Sequence, residues 1–379
     1  MTNEAAYWIA LAHLPRWGHA KINNLIIKFY HDNKISPADF FHLSDEEWSK
    51  NYQLDFRDIN QLKEAREDLP NLAFLSEKMQ SEGYEIIPIT SPEYSANLKE
   101  NLKIAHAPAL IYVKGNREIL LEKSIAIVGS RNATELSLKF TDNIAQLASK
   151  EYKVVVSGFA KGVDKQALDS AITYKGQSII VLPQGIMTFS SGFNKYYRQI
   201  VDGDVLVLST FFPKAPWKAE LAMARNPIIY GLAHEIYVAE SSDKGGTWSG
   251  VMDGLRKNRK IFVRKPENFE NNANNLLISK GAVPVDFNGN TLSGYSSGDV
   301  QTTLPLAGEP EISYENKILE VLKTGSFPVK EIIKKLNLNW TDHQMRKFLK
   351  SQKDVEEIKK KTIHYTYKTN IPIQPTLFD

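Results

Sequence analysis

Four short stretches of the chain hold residues with chemistry to offer. GSRNAT sets Gly129, Ser130 and Arg131 side by side. Glycine permits a tight strand-to-helix turn, while a hydroxyl and a planar guanidinium present donors that suit phosphate oxygens. SGFAKGVD repeats the theme with Ser157, Gly158, Lys161 and Gly162. ARNP brings Arg225 and Asn226 to a predicted helix start, and KGGT supplies Lys244, Gly245, Gly246 and Thr247. The first, second and fourth follow apolar β-branched runs and open into helical patterns, the plan of a loop that receives phosphate at a helix N-terminus. The chemistry indicated is anion binding. Neither the G-x-G-x-x-G spacing of dinucleotide loops nor the G-K-[ST] of a P-loop is present, so NAD binding and ATP hydrolysis are not indicated. There is no cysteine, which excludes thiolate catalysis, disulfides and zinc–cysteine sites. The eight histidines lack metal-ligand spacing, and the pattern G-x-S-x-G occurs as GYSSG (294–298), inside the Gly/Ser-rich stretch and not after a predicted strand, so it is no nucleophile elbow. Asp164 reads as an acid in a helix first turn that offsets the dipole, not as a base. A binder without cofactor or metal is expected, not an enzyme.

The elements that must position these loops follow from periodicity. EIIPIT and ALIYVKGN open a strand region, and IAIV, VVVS, SIIVL, VLVLS, EIYVA and KIFVR continue it, most of them trailed by helical patterns. Strands apolar throughout are buried on both faces, as a parallel sheet covered by helices requires. Residues 71–290 are therefore expected to form an α/β, doubly wound, Rossmann-like core whose ligand lies at the carboxyl ends of the strands. Residues 1–70 read as short helices, with Ser36 and Ser44 as N-caps. LPRWGHAKI, with Pro15 and Gly18, suits the turn of a SAM or helix-hairpin-helix-like domain. Residues 291–310, rich in Gly, Ser, Thr and Pro, read as a linker. Three helical patterns and a hairpin over 311–368 predict a winged helix. An extended tail, 369–379, ends in QPTLFD.

Length and composition set the frame. The chain has 379 residues, 42% hydrophobic and 24% charged, enough for two or three globular domains. A net charge of +3 does not by itself call for a polyanion. Local basic runs, RKNRKIFVRK (256–265), RKFLKSQK (346–353) and KKK (359–361), are candidate nucleic-acid contacts, and Phe159 and Trp248 are candidate base-stacking side chains. No apolar run approaches the roughly 18 residues of a membrane span, and the start lacks the basic region of a signal peptide, so a cytoplasmic protein is expected.

The order of motifs resembles the DNA-processing protein A family, also called DprA or Smf. The steps that carry the resemblance are VGSR (128–131), SGFAKGVD (157–164), LPQGI (182–186), ARNPIIYGL (224–232), Glu240, KGGT (244–247) and KGA (280–282), over roughly 85–287. Lys161 stands where the family usually has Arg, Pro227 replaces the second Arg of its RNR run, and KGGTWSG replaces SGSLITA, moving toward the loop of related nucleotide-binding proteins. The resemblance implies a single-stranded DNA-binding core that dimerises and loads RecA onto incoming strands in transformation and recombination. It places Ser130, Arg131, Lys161 and Arg225 on phosphate. A nucleotide-binding enzyme or sensor on the same core is the alternative. In the tail, Gln374, Leu377 and Phe378 resemble the Q-x-x-L-F peptide that docks into the bacterial sliding clamp.

Overall fold

The computed structural model describes residues 4–292, 314–336, 342–352, 354–359 and 363–367. They fall into two compact units, Met1–Val300 and Gln301–Asp379. In the first, β1 (Glu85–Pro88), β2 (Leu110–Lys114), β3 (Ser124–Gly129), β4 (Val154–Ser157), β5 (Ser178–Val181), β6 (Val205–Ser209), β7 (Glu235–Glu240), β8 (Lys260–Arg264) and β9 (Val283–Val285) make one sheet. Its order is β1-β2-β6-β5-β4-β3-β7-β8-β9. β6 through β9 run parallel, and β1 and β2 are added antiparallel at the β6 edge.

Side-chain alternation divides the strands between two apolar layers. Ile125 and Ile127 face the helices Glu135–Lys150 and Val163–Thr173, in a cluster with Phe140, Ile144 and Ala167. Ala126 and Val128 face the opposite way, onto Ile228, Ile229 and Leu232 of the helix Ala219–Leu232 and Val251 of the helix Gly245–Arg256. That two-sided burial explains why these strands read as unbroken apolar runs.

The N-terminal helices run on to Ser81 and share one hydrophobic cluster with Leu110, Tyr112, Ile180, Val205 and Val207, so they cover sheet as a helical layer would. Ser36 and Ser44 both close capping boxes: Ser36 Oγ accepts from Asp39 N at 3.1 Å, and Ser44 N donates to Glu47 Oε2 at 2.8 Å. Ser36→Ala is expected to cost about 1 kcal/mol, read as a shift in the urea midpoint. At the turn before the helix His19–Ile26, Trp17 Nε1 donates to Gln61 Oε1 at 2.6 Å. Lys21 sits 4.0 Å over the Trp17 ring and pairs with Asp58. Lys21, in the first turn of that helix, is thus already paired.

The second unit has the helices Tyr314–Lys323, Val329–Lys335 and Asp342–Ser351, and strands β10 (Phe327–Pro328), β11 (Val355–Lys359) and β12 (Ile363–Tyr367) in the order β10-β12-β11. Ile318, Leu322, Ile332, Met345, Leu349 and Tyr365 form its core. The tail positions Gln374, Leu377 and Phe378 lie outside the described residues, as does nearly all of the linker.

Candidate nucleic-acid interface

β3 is the point where the sheet changes direction. The chain leaves it toward β4 on one side, while β7 lies on the other. Loops leaving the carboxyl ends of such neighbours diverge and leave a crevice. Here that crevice is a cleft of about 430 Å³. Of the sequence-predicted residues, Gly129, Ser130, Arg131, Arg225, Asn226, Lys244, Gly245, Gly246 and Thr247 line it. Thr247 Oγ1 donates to Gly129 O at 3.1 Å, which ties the β7 loop to the β3 loop.

The other four do not line the cleft. Ser157 is buried and its hydroxyl donates to Ile127 O at 3.1 Å, so its one proton joins two strands and is not available to a phosphate oxygen. Gly158 lies against the Arg225 guanidinium, where a Cβ would come within 1.5 Å of a terminal nitrogen. Lys161 is exposed beside the cleft. Gly162 has φ +77°, and a Cβ there would stand 2.3 Å from Ser130 O and 2.7 Å from Arg131 O. The Gly162→Ala chain should therefore lose stability by about 1–3 kcal/mol and bind strands less well, because the Ser130–Arg131 loop must move. Thermal melting and strand titration of the same preparation check both parts.

The two helix N-termini at the crevice differ in what they hold. The helix Glu135–Lys150 already has an anion. Glu240 Oε2 accepts from Thr134 N at 3.0 Å, Thr134 Oγ1 at 2.8 Å and Ser137 Oγ at 2.7 Å. The hydroxyl of Thr134, within the GSRNAT stretch, is engaged there. The helix Gly245–Arg256 has no side-chain cap and no acid in its first turn, and it begins at Gly245 with φ +88°. The first amides of a helix have no partner within it, so this terminus is the open seat for an anion, with Lys244 and Arg131 both exposed at its rim.

Below them Arg225 is 3% exposed. It donates to Val181 O at 2.9 Å, its Nε has no hydrogen-bond partner, and among the described residues no carboxylate lies within ion-pair distance. Burial lowers its pKa, opposed by the charge of Asp164. Asp164 lines the same cleft. Burial raises its pKa, against Arg225, the backbone N–H groups of Ala160 and Gly158, and Arg131. Asp164 is thus more than the dipole-offsetting acid that the sequence suggested. Sequence reasoning also passed over Met223 and Tyr230, which line the cleft and whose only signal was their proximity to Arg225.

Several other expected contacts have partners within the protein, some buried and some at the surface. Of the run 256–265, Arg256 and Lys257 pair with Asp253, Arg259 donates to the carbonyls of Tyr230 and Ala233, and Arg264 is buried against Glu270. Lys260 opens β8 at the amino end of the sheet, away from the cleft. Phe159 packs at 5.1 Å on Phe189 and 5.7 Å on Tyr196, and Trp248 is partly buried against the core. Phe159 is thus engaged with other rings, while Trp248 keeps part of its surface exposed.

Residues 85–294 match the family model described as DNA recombination-mediator protein A. The chain belongs to that family. It is 33% identical over 162 residues to DNA processing protein DprA of Streptococcus pneumoniae, covering 42% of this chain and 57% of that protein. With Protein Smf of Synechocystis it shares 25% identity over 353 residues, 86% of this chain and 82% of the relative. The X-ray structure of the Streptococcus pneumoniae protein superposes with a TM-score of 0.60 at 25% identity, over 75% of this chain and 95% of that one. The family match spans β1 to β9, so every loop of the cleft falls within it. Among the described residues no helix is long and apolar enough to cross a membrane, and no cluster of His, Asp and Glu could hold a metal ion.

Proposed function

We propose that this protein binds single-stranded DNA through the cleft at the β3/β7 switch point and acts as a recombination mediator, not as an enzyme. It protects incoming or exposed strands and loads RecA onto them, as a homodimer in the cytoplasm. The observation that carries the reading is Arg225, a buried guanidinium whose Nε has no hydrogen-bond partner and whose facing carboxylate, Asp164, makes no direct ion pair with it, under a rim formed by Arg131, Lys244 and the open amides of the helix Gly245–Arg256. A cation so placed calls for an anion from outside, and a strand of phosphodiesters supplies a row of them. Membership in a family of recombination mediators supports DNA as the source of that anion.

The second unit is proposed as a winged helix that adds a DNA or protein contact. Arg346 and Lys350 are exposed on its helix Asp342–Ser351, the position of a recognition helix. The tail at Gln374, Leu377 and Phe378 is proposed to dock into the sliding clamp. Deleting the last six residues should abolish clamp affinity; unchanged affinity removes that part of the proposal.

The test of the central claim is equilibrium binding to single- and double-stranded oligonucleotides over a salt series, with free nucleotides as competitors. Preference for single strands, a steep salt slope and no competition support the mediator reading. Weak strand binding that one nucleotide competes away would favour a nucleotide-binding enzyme or sensor, for which the open amides at Gly245–Thr247 would be the phosphate seat.

A further inference from the structure

Phosphate contacts alone do not distinguish one strand from two, since both present the same backbone charges. Discrimination needs a group that reads an unpaired base, and every base offers a face to an aromatic ring. With Phe159 and Trp248 partly buried against the core, a more exposed ring beside this cleft has the required form. Trp217 is 55% exposed, and no aromatic or cationic contact to its ring occurs among the described residues. It stands in PKAPWKAE, between the exposed Lys214 and Lys218 and two residues before Ala219, which lines the cleft. Met223, one turn into the same helix, also lines the cleft and is 49% exposed.

The loop that carries Trp217 is fixed. Ala215 O accepts from Gly185 N at 2.8 Å and from Thr188 Oγ1 at 3.2 Å, Pro213 O accepts from Met187 N at 3.0 Å, and Ala215 N donates to Phe212 O at 2.8 Å. The backbones meet so closely that a Cβ at Gly185 would stand 2.2 Å from Phe212 O. A large apolar ring presented to water between two lysines at the edge of an anion-binding cleft gains the free energy of burial only when a partner covers it.

We infer that Trp217 is the base-stacking platform of this cleft and the residue that makes it select single strands. The inference rests on the DNA-binding reading above. Lys214 and Lys218 hold the backbone on either side of the stacked nucleotide, while Arg131, Lys244 and the amides at Gly245–Thr247 hold the next phosphate. A paired base cannot reach the indole without leaving its duplex, so the platform rewards only unpaired strands.

The experiment uses the full-length chain, Trp217→Ala and Trp217→Phe, a thymidine oligonucleotide and its duplex with the complementary strand. Trp217→Ala should lose about tenfold in single-strand affinity, keep its duplex affinity and keep the wild-type salt slope, because no charge is removed. Trp217→Phe should recover most of the loss. Tryptophan emission of the wild type should fall as strand is added, and this quenching should largely vanish in Trp217→Phe. Equal single-strand affinity in Trp217→Ala and wild type overturns the inference and leaves the DNA reading standing. So does an equal loss on duplex, or a loss that tracks a change in oligomeric state, which would give the indole to a second copy of the chain. A wild-type chain that binds neither ligand overturns the DNA reading and the inference together.

Discussion

Removing Arg131 and Lys244 together, each as Ala, is expected to weaken single-strand binding by about 100-fold at low salt, since each charge-assisted contact contributes about 1.5 kcal/mol or more. The sharper signature is in the salt dependence. Each phosphate neutralised on a single strand contributes about 0.7 to the slope of log affinity against log salt, so the double variant should be shallower by about 1.4. Lys161→Ala, beside the cleft and not lining it, should change the slope by less. Fluorescence anisotropy over a salt series measures all three chains. A double variant with the wild-type slope would move the phosphate path away from the β3/β7 crevice.

The second large effect is on stability. Arg264 is 0% and Glu270 4% exposed. Arg264 also donates from Nε to Ala239 O at 3.0 Å and from a terminal nitrogen to Ser137 Oγ at 3.1 Å. Arg264→Met should cost about 3–5 kcal/mol by leaving a buried carboxylate unpaired. Adding Glu270→Met should restore much of that loss, because two apolar side chains need no counter-charge. The pH response follows from the same pair. Hydrogen bonds from Arg264 hold the Glu270 pKa below its ordinary value of 4.5. The carboxylate therefore stabilises the fold fully above that value, and its contribution fades as pH falls through the lower, folded-state pKa. Chemical denaturation of wild type and Glu270→Gln between neutral and acid pH should show this component in the first chain and not in the second.

How far the sequence discloses the molecule depends on which forces leave a local trace. β3 to β8 are legible because a strand covered on both faces must be apolar at every position. β9, three residues of Val-Pro-Val at the sheet edge, is too short and too proline-bearing to stand out. The cleft loops are legible because a strand-to-helix turn that admits an anion needs glycine and donors in a few consecutive positions. What a donor bonds to is not local. Ser157 and Arg131 have similar surroundings in sequence, yet one hydroxyl is buried against Ile127 O and one guanidinium is exposed. The basic run 256–265 shows the same limit, since the partners of Arg256, Lys257 and Arg259, Asp253 and two backbone carbonyls, are placed by the helix and by the chain that leads into β7. Trp217 escaped attention because its exposure depends on the loop 182–188 that supports it.

Glu240 has a consequence for how the cleft behaves in a crowded ionic medium. Its carboxylate belongs to the same folded chain as the helix terminus it serves, so its effective concentration there exceeds that of free anions in solution. Chloride, phosphate and nucleic acid alike compete only for the neighbouring seat at Gly245–Thr247. On the proposed reading, the exchangeable anion position at Gly245–Thr247 lies beside a helix terminus that Glu240 already serves, so that neighbouring terminus is not a second phosphate seat.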